Sequence, residues 1–185
     1  MLSYPSAIYK RKGFFSMQTE TILRAYAAIG ESTPLCSDCG ALCAAACCLP
    51  DEDGQGGVDL LPGEEILIGD ADWMERTHDA HMDAEMIRCK AMCAREKRPF
   101  LCRVFPLCPV IGRDGRWTVR MDARARAMCP LTRGGVRGLD PEFVRGCVRA
   151  VRILAEEPDG ADFLSRWAAI EAEFRVSLDS LCTSG

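Results

Sequence analysis

CSDCGALCAAACC, residues 36–48, places five cysteines in thirteen positions: Cys36, Cys39, Cys43, Cys47 and Cys48, in the pattern C-x2-C-x3-C-x3-C-C. A Cys-x-x-Cys pair in a turn lets both sulfurs point at one centre, and Gly40 directly after it lets backbone amides approach them. Pro34, Gly40 and Pro50 argue for loop or short helical turns across this segment. Further cysteines follow at Cys89, Cys93, Cys102, Cys108 and Cys129, then Cys147 and Cys182, against only two histidines. A soft-metal site in this chain is therefore mainly a thiolate site. Thiolates gathered without a cation repel one another and revert to thiols, a penalty that a metal removes. Four thiolates on one zinc still leave two excess negative charges. Arg98 and Arg103, which surround Cys93 and Cys102 in sequence, are the expected counter-charges around the ligands.

Twelve cysteines among 185 residues are far above cytosolic habit, and their meaning depends on the compartment. Lys10, Arg11 and Lys12 are not followed by an apolar run of signal-peptide length, so the reading is cytoplasmic and the thiols are expected as metal ligands rather than disulfides. The longest weakly polar run, ALCAAACCL at 41–49, is about half of a membrane-spanning length, so no membrane segment is expected. With 48% hydrophobic residues the chain suits one globular domain. Residues 1–16 read as a loose N-terminal arm, with Met17 an alternative start. Residues 17–185 read as a single cysteine-cluster domain, its metal core at about 34–132 and a helical hairpin at about 140–181.

Charge is unevenly spread. Residues 13–87 hold 2 basic and 15 acidic side chains, residues 88–152 hold 16 and 5, and the net charge is −4. Such blocks can pair across the fold or present a basic face to an anionic partner; the acidic overall balance and the lack of a recognisable module disfavour nucleic acid. The periodicity predicts a helix over about 18–30 and a short one opening at Pro62 with Glu64 and Glu65 in its first turn. It also predicts a β-hairpin from PVI and WTVRMD around GRDGR at 112–116. Residues 70–87 are too acidic to assign. Asp140 caps a helix carrying Phe143, Cys147, Val151 and Leu154 on one face, so Cys147 reads as core. A second helix from about 161 aligns Phe163, Trp167, Ile170, Phe174, Leu178 and Leu181. The expected class is α+β, mainly helical, with a small metal-stabilised core. If helical, Cys89 and Cys93 share a face at i, i+4, and His78 and His81 at i, i+3 are reserve ligands.

These residues resemble the Cys-x-x-Cys-x-x-Cys-Cys proteins, described as zinc- or iron-chelating domains and including relatives of flagellin lysine N-methylase. The resemblance rests on the 36–48 cluster followed by LPGEE at 61–65. It rests further on CAREKRPFLCRVFP at 93–106, where Cys93, Arg98, Pro99, Cys102, Arg103, Phe105 and Pro106 match a Cys, Arg-Pro, Cys-Arg, Phe-Pro signature, and on Cys129 in MCPL. It spans roughly residues 34–132. This chain departs from the pattern in its longer first cluster, which leaves open which of Cys43, Cys47 and Cys48 completes a site. Cys108 and Cys129 each precede a proline, as in bacterial ferredoxin motifs, which is weak evidence by itself.

The expectation is a metal-binding protein whose clustered thiolates hold an iron–sulfur cluster or zinc, open to a redox or protein-modification role and to a protein partner. The ligand candidates are Cys36, Cys39, Cys43, Cys47, Cys48, Cys89, Cys93, Cys102, Cys108 and Cys129. The resemblance also implies an alternative, an S-adenosylmethionine-dependent protein lysine N-methyltransferase. The residues support that poorly: GGVRG at 134–138 follows no predicted strand, and no C-x3-C-x2-C triplet occurs.

Overall fold

A computed structural model describes residues 16–37, 39–48, 57–90 and 93–183, residues 181–183 by backbone only. The expected arm before Ser16, most of the Gly/Asp loop at 51–59 and the Cys182 side chain lie outside the described residues. The fold is α+β and mainly helical. Helix α1 (Thr19–Ile29) turns Ile22, Ala25 and Ile29 inward and ends at Gly30, whose φ of 57° suits a residue without Cβ. Helix α2 (Glu65–Ile68) follows Pro62, whose carbonyl accepts from Met17 N–H at 3.0 Å and ties the start of α1 to this turn.

Helix α3 (Phe100–Val104) is short, and its i, i+4 residues Phe100 and Val104 are buried. Cys102 and Arg103 therefore lie off the core-facing side.

In α4 (Pro141–Leu154) the Asp140 carboxylate accepts from Glu142 N–H at 2.9 Å, the capping read from sequence. Phe143, Cys147, Val151 and Leu154 are fully buried, so Cys147 is core, its thiol pushed up to about 12 by burial. Helix α5 (Pro158–Thr183) starts at Pro158, before the expected residue 161, because proline is tolerated in a helix's first turn. Its burial stops near Glu171, and Phe174, on the expected apolar stripe, is 42% exposed. α4 and α5 follow one another over a short turn, but α4 packs chiefly on α1 while α5 packs on the hairpin.

That hairpin is the expected one: β4 (Leu107–Ile111) pairs antiparallel with β5 (Trp117–Met121) around Gly115 at φ 74°. The three-stranded sheet was not expected. β1 (Val58–Asp59), β2 (Met74–Asp79) and β3 (Ala84–Cys89) form an antiparallel sheet in the order β1-β3-β2. Asp79 closes the β2–β3 turn by accepting from His81 N–H at 2.7 Å. The acidity that hid these strands is partly neutralised across the pair, where Arg76 meets Glu85 and also Asp70 at 2.8 Å. Two helical expectations are corrected here. Cys89 is the last residue of a strand, so it shares no helix face with Cys93. His78 lies in β2 and His81 in the turn, so the two are not i, i+3 helical ligands; His78 instead meets Asp83 at 3.3 Å.

The opposed charge blocks pair in part across the fold, through Arg95 with Glu31 at 2.9 Å and Lys90 with Glu75 at 3.8 Å, while Arg120 of the basic block pairs with buried Glu171 of α5. Among the described residues no helix is long and apolar enough to cross a membrane.

Gly146 marks where α4 crosses α1 most closely. A Cβ there would meet Ala28 O at 2.9 Å and Ile29 Cα at 3.1 Å, both backbone atoms that cannot rotate away. Overpacking costs about 1–3 kcal/mol, against the ~1 kcal/mol by which Ala outranks Gly in a helix. Gly146→Ala is therefore expected to lower the melting temperature in a thermal scan. An unchanged or raised value would show that the helices separate at no cost.

Candidate metal centre

The larger cavity, 910 Å³, is bordered by Cys36, Cys39, Cys47, Cys48, Cys89, Cys93 and Cys102. A smaller one of 350 Å³ is bordered by Cys39, Cys43, Cys47, Cys48 and Cys129. Nine of the ten sequence candidates thus gather on two neighbouring hollows. Cys108 is the exception. It is fully buried in β4 beside Arg120, and burial, with the charges of Asp122 and Glu171, pushes its thiol up to about 12. It borders neither cavity. No disulfide joins any of the eleven described cysteines.

Local structure explains the gathering. The cluster segment folds as two 3-10 turns, Cys39–Leu42 and Ala46–Cys48, linked through Ala44 and Ala45 at φ 49° and 55°. Left-handed backbone is costly for a residue with a Cβ, so these alanines hold a strained reversal that swings Cys47 and Cys48 back past Cys43. Cys89 ends β3 opposite Met74, anchored by Lys90 N–H on Trp73 O at 2.7 Å. Cys102 projects from α3.

Four of these thiols form a mutually interacting set. The Cys102 thiol is held well above its ordinary range by burial first, then by Cys89, Cys48 and Cys93. Cys89 is raised by burial, then by Cys93 and Cys48; Cys93 is raised by burial and by Cys48, offset by Arg98, which hydrogen-bonds it. Every pair among Cys48, Cys89, Cys93 and Cys102 therefore interacts electrostatically. As placed, the set is not a closed ligand shell: among the described residues no three His, Cys, Asp or Glu side chains converge on a point that could hold a metal ion. Cys47 is also raised, chiefly by its hydrogen bond with Cys48 and by burial, with smaller contributions from Cys102 and Cys43.

The two arginines take different parts. Arg98 borders both cavities, donates to Cys93, and has no ion pair with a carboxylate among the described residues. Arg103 donates to the carbonyls of Arg98 at 2.8 Å, Arg95 at 3.1 Å and Glu96 at 3.0 Å, and lies 4.0 Å from the Tyr26 ring centroid. It braces the turn that aims Arg98.

Glu64, which the sequence marks only as a first-turn acid, is fully buried beneath the site. Its carboxylate accepts from the Tyr26 hydroxyl, from Leu61 N–H at 2.8 Å and from Phe100 N–H at 2.5 Å. Burial raises it to about 7 against the pull of those donors. The sequence gives no signal for this role, because two of the three donors, Tyr26 and Phe100, come from distant segments. Comparison of the chain with protein-family models, with curated proteins and with solved structures finds no match to any of them.

Asp59, on the wall of the larger cavity, is raised from 3.8 to about 7 by burial and then by the charge of Asp79. The fold thus favours its neutral form. The associated stability is present below the ordinary carboxylate pKa and is lost as pH rises through about 7. Asp59→Asn is expected to stabilise the protein at pH 8 by ~2 kcal/mol, or about 4–8 °C in melting temperature for a chain of this size, and by much less at pH 4. Equal shifts at both pH values would show that Asp59 carries no folding-linked proton.

Proposed function

We propose that the protein is a metal-binding protein, with Cys48, Cys89, Cys93 and Cys102 holding zinc or an iron–sulfur cluster. The observation that carries this reading is the mutual interaction of all four thiols on one cavity wall. Each is driven toward its protonated form by burial and by the others, so the set becomes stably ionised only around a cation. The donor chemistry suits such a group: four sulfurs are the number of the usual four-coordinate thiolate centre, which their side chains would have to close around the ion, and Arg98 would offset part of the remaining negative charge. Zinc in this place would tie the cluster turn, β3 and α3 together, whereas an iron–sulfur cluster would add electron transfer.

The chain's own residues supply the rest. α3 orients Cys102, Arg103 fixes the turn behind Arg98, and Arg98 donates to Cys93. The quartet takes one thiol from the 36–48 cluster, two from the 93–106 signature and one from β3. This supports placing the chain with the Cys-x-x-Cys-x-x-Cys-Cys proteins related to flagellin lysine N-methylase, acting in a cytoplasmic, reducing compartment with a redox or protein-modification role. No observation favours the methyltransferase alternative: both described sheets are antiparallel, which creates no Rossmann-type nucleotide crevice at their strand ends.

The test is anaerobic purification followed by metal and acid-labile sulfide analysis and an absorption spectrum. Cys89→Ser and Cys102→Ser are each expected to remove the metal held by one centre, and Arg98→Met to weaken binding by about 10- to 100-fold, as is typical of groups around a ligand shell. Metal content unchanged in both serine variants, or a metal-free wild-type protein, would overturn the proposal. Visible absorption with stoichiometric sulfide selects the cluster; zinc without sulfide selects the structural ion.

A further inference from the structure

We infer that three successive 3-10 turns, Arg124–Ala127, Pro130–Gly134 and Val136–Gly138, form a docking face for an acidic segment of a partner protein, with the guanidinium groups of Arg126, Arg133 and Arg137 as its charged contacts. The inference goes beyond the thiol chemistry and holds whether or not the thiols carry a metal.

Residues 123–139, ARARAMCPLTRGGVRGL, hold four arginines and no aspartate or glutamate, in a chain whose net charge is −4. Elsewhere the fold supplies arginines with carboxylates: Arg24 meets Glu156 at 3.1 Å, Arg95 meets Glu31 at 2.9 Å and Arg166 meets Asp162 at 3.0 Å. Within the stretch only Arg124 is paired, with Asp122 at 2.7 Å. Arg126, Arg133 and Arg137 are exposed, and their side chains make no hydrogen bond or ion pair among the described residues. The first turn packs on the second and the second on the third, so the three arginines belong to contiguous elements. Positive charge left unneutralised on neighbouring turns attracts an anionic partner and orients its approach.

The surroundings favour a protein over a nucleic acid. No aromatic residue or histidine occurs in 123–139, so the face has no platform on which bases could stack. The chain as a whole is acidic, where a nucleic-acid domain is usually basic, and Asp122 and Asp140 flank the stretch. Met128 is 44% exposed and Pro130 is exposed between the first and second arginines, and Arg and Met are residue types enriched at protein interfaces. A Cβ at Gly134 or Gly138 would meet nothing within 4 Å, so packing within this chain does not demand glycine there. The missing side chains instead leave room for another backbone to approach beside Arg133 and Arg137. Met128, Pro130 and Leu131 also border the smaller hollow, so a docked segment lies beside it.

The experiment uses the full chain and a fluorescein-labelled oligoglutamate peptide, with binding read by fluorescence anisotropy at low and at physiological salt. The wild type is expected to bind at low salt and to weaken as salt screens the contacts. The double variant Arg133→Glu, Arg137→Glu is expected to bind at least about 10-fold more weakly, since it removes two attractions and adds two repulsions. The control is Arg113→Glu, Arg116→Glu, which makes the same change in net charge at the exposed turn of the β4–β5 hairpin and is expected to stay within about 2-fold of the wild type. Arg133→Gln, Arg137→Gln removes charge without adding repulsion and is expected to fall between wild type and the glutamate variant, which guards against misfolding of the latter. Absence of binding by the wild type overturns the inference, as does equal weakening in the hairpin control, which would make the attraction one of net charge alone. Tighter binding of a labelled oligothymidylate, lost in the Arg133→Glu, Arg137→Glu variant, overturns it in favour of nucleic acid. Self-association of the chain at low salt, abolished by the same variant in sedimentation, overturns it in favour of a second copy.

Discussion

The buried carboxylate of Glu64 is the constraint on which the arrangement of this protein depends. One oxygen receives the Tyr26 hydroxyl and the Phe100 amide, the other the Leu61 amide, so a single side chain joins α1, the turn before α2 and the start of α3. Each donor is itself buried or partly buried, and leaving any of them without an acceptor would cost about 1–3 kcal/mol. α3 is only five residues long and could not hold its orientation by helical propensity. Fixed at its first residue by Glu64 and by the burial of Phe100 and Val104, it presents Cys102 and Arg103 to the cavity instead of to the core.

From that anchor the electrostatics of the thiol wall follow. Arg103, lying against the same Tyr26 that donates to Glu64, braces the 95–98 turn through three carbonyls and thereby aims Arg98 at Cys93. The thiols facing Arg98 raise one another, so the metal-free wall favours protonated sulfur. The proposed metal centre would reverse that preference, with Arg98 offsetting charge that the metal leaves unbalanced.

Much of the scaffold was legible from local signals. Asp140 with Pro141 announced α4, the i, i+4, i+8, i+11 spacing of Phe143, Cys147, Val151 and Leu154 gave its buried face, and Asp-Gly between β-branched runs gave the β4–β5 hairpin. Each is a short-range rule in which the residue types that specify the conformation are adjacent. The three-stranded sheet was not legible, because β2 and β3 carry charged residues whose neutralisation, such as Arg76 on Glu85, exists only once the strands pair. The same holds for Cys89 and Cys93, whose spacing permits a helix that the sheet pre-empts, and for the burial limit of α5, whose apolar stripe continues past the surface it packs on.

By itself the sequence determined the chemistry and the local conformations: an abundance of thiols with almost no histidine, arginines beside Cys93 and Cys102, a core place for Cys147, and a mainly helical α+β chain. Tertiary structure decided which thiols are neighbours. It brought Cys48 and its neighbours to Cys89, Cys93 and Cys102, set Cys108 apart, brought Cys129 to Cys43, and made Glu64 a buried anchor. The reason is physical: residue type fixes what a side chain can do, but distance and burial, which set how thiols and carboxylates interact, depend on contacts between segments far apart in the chain.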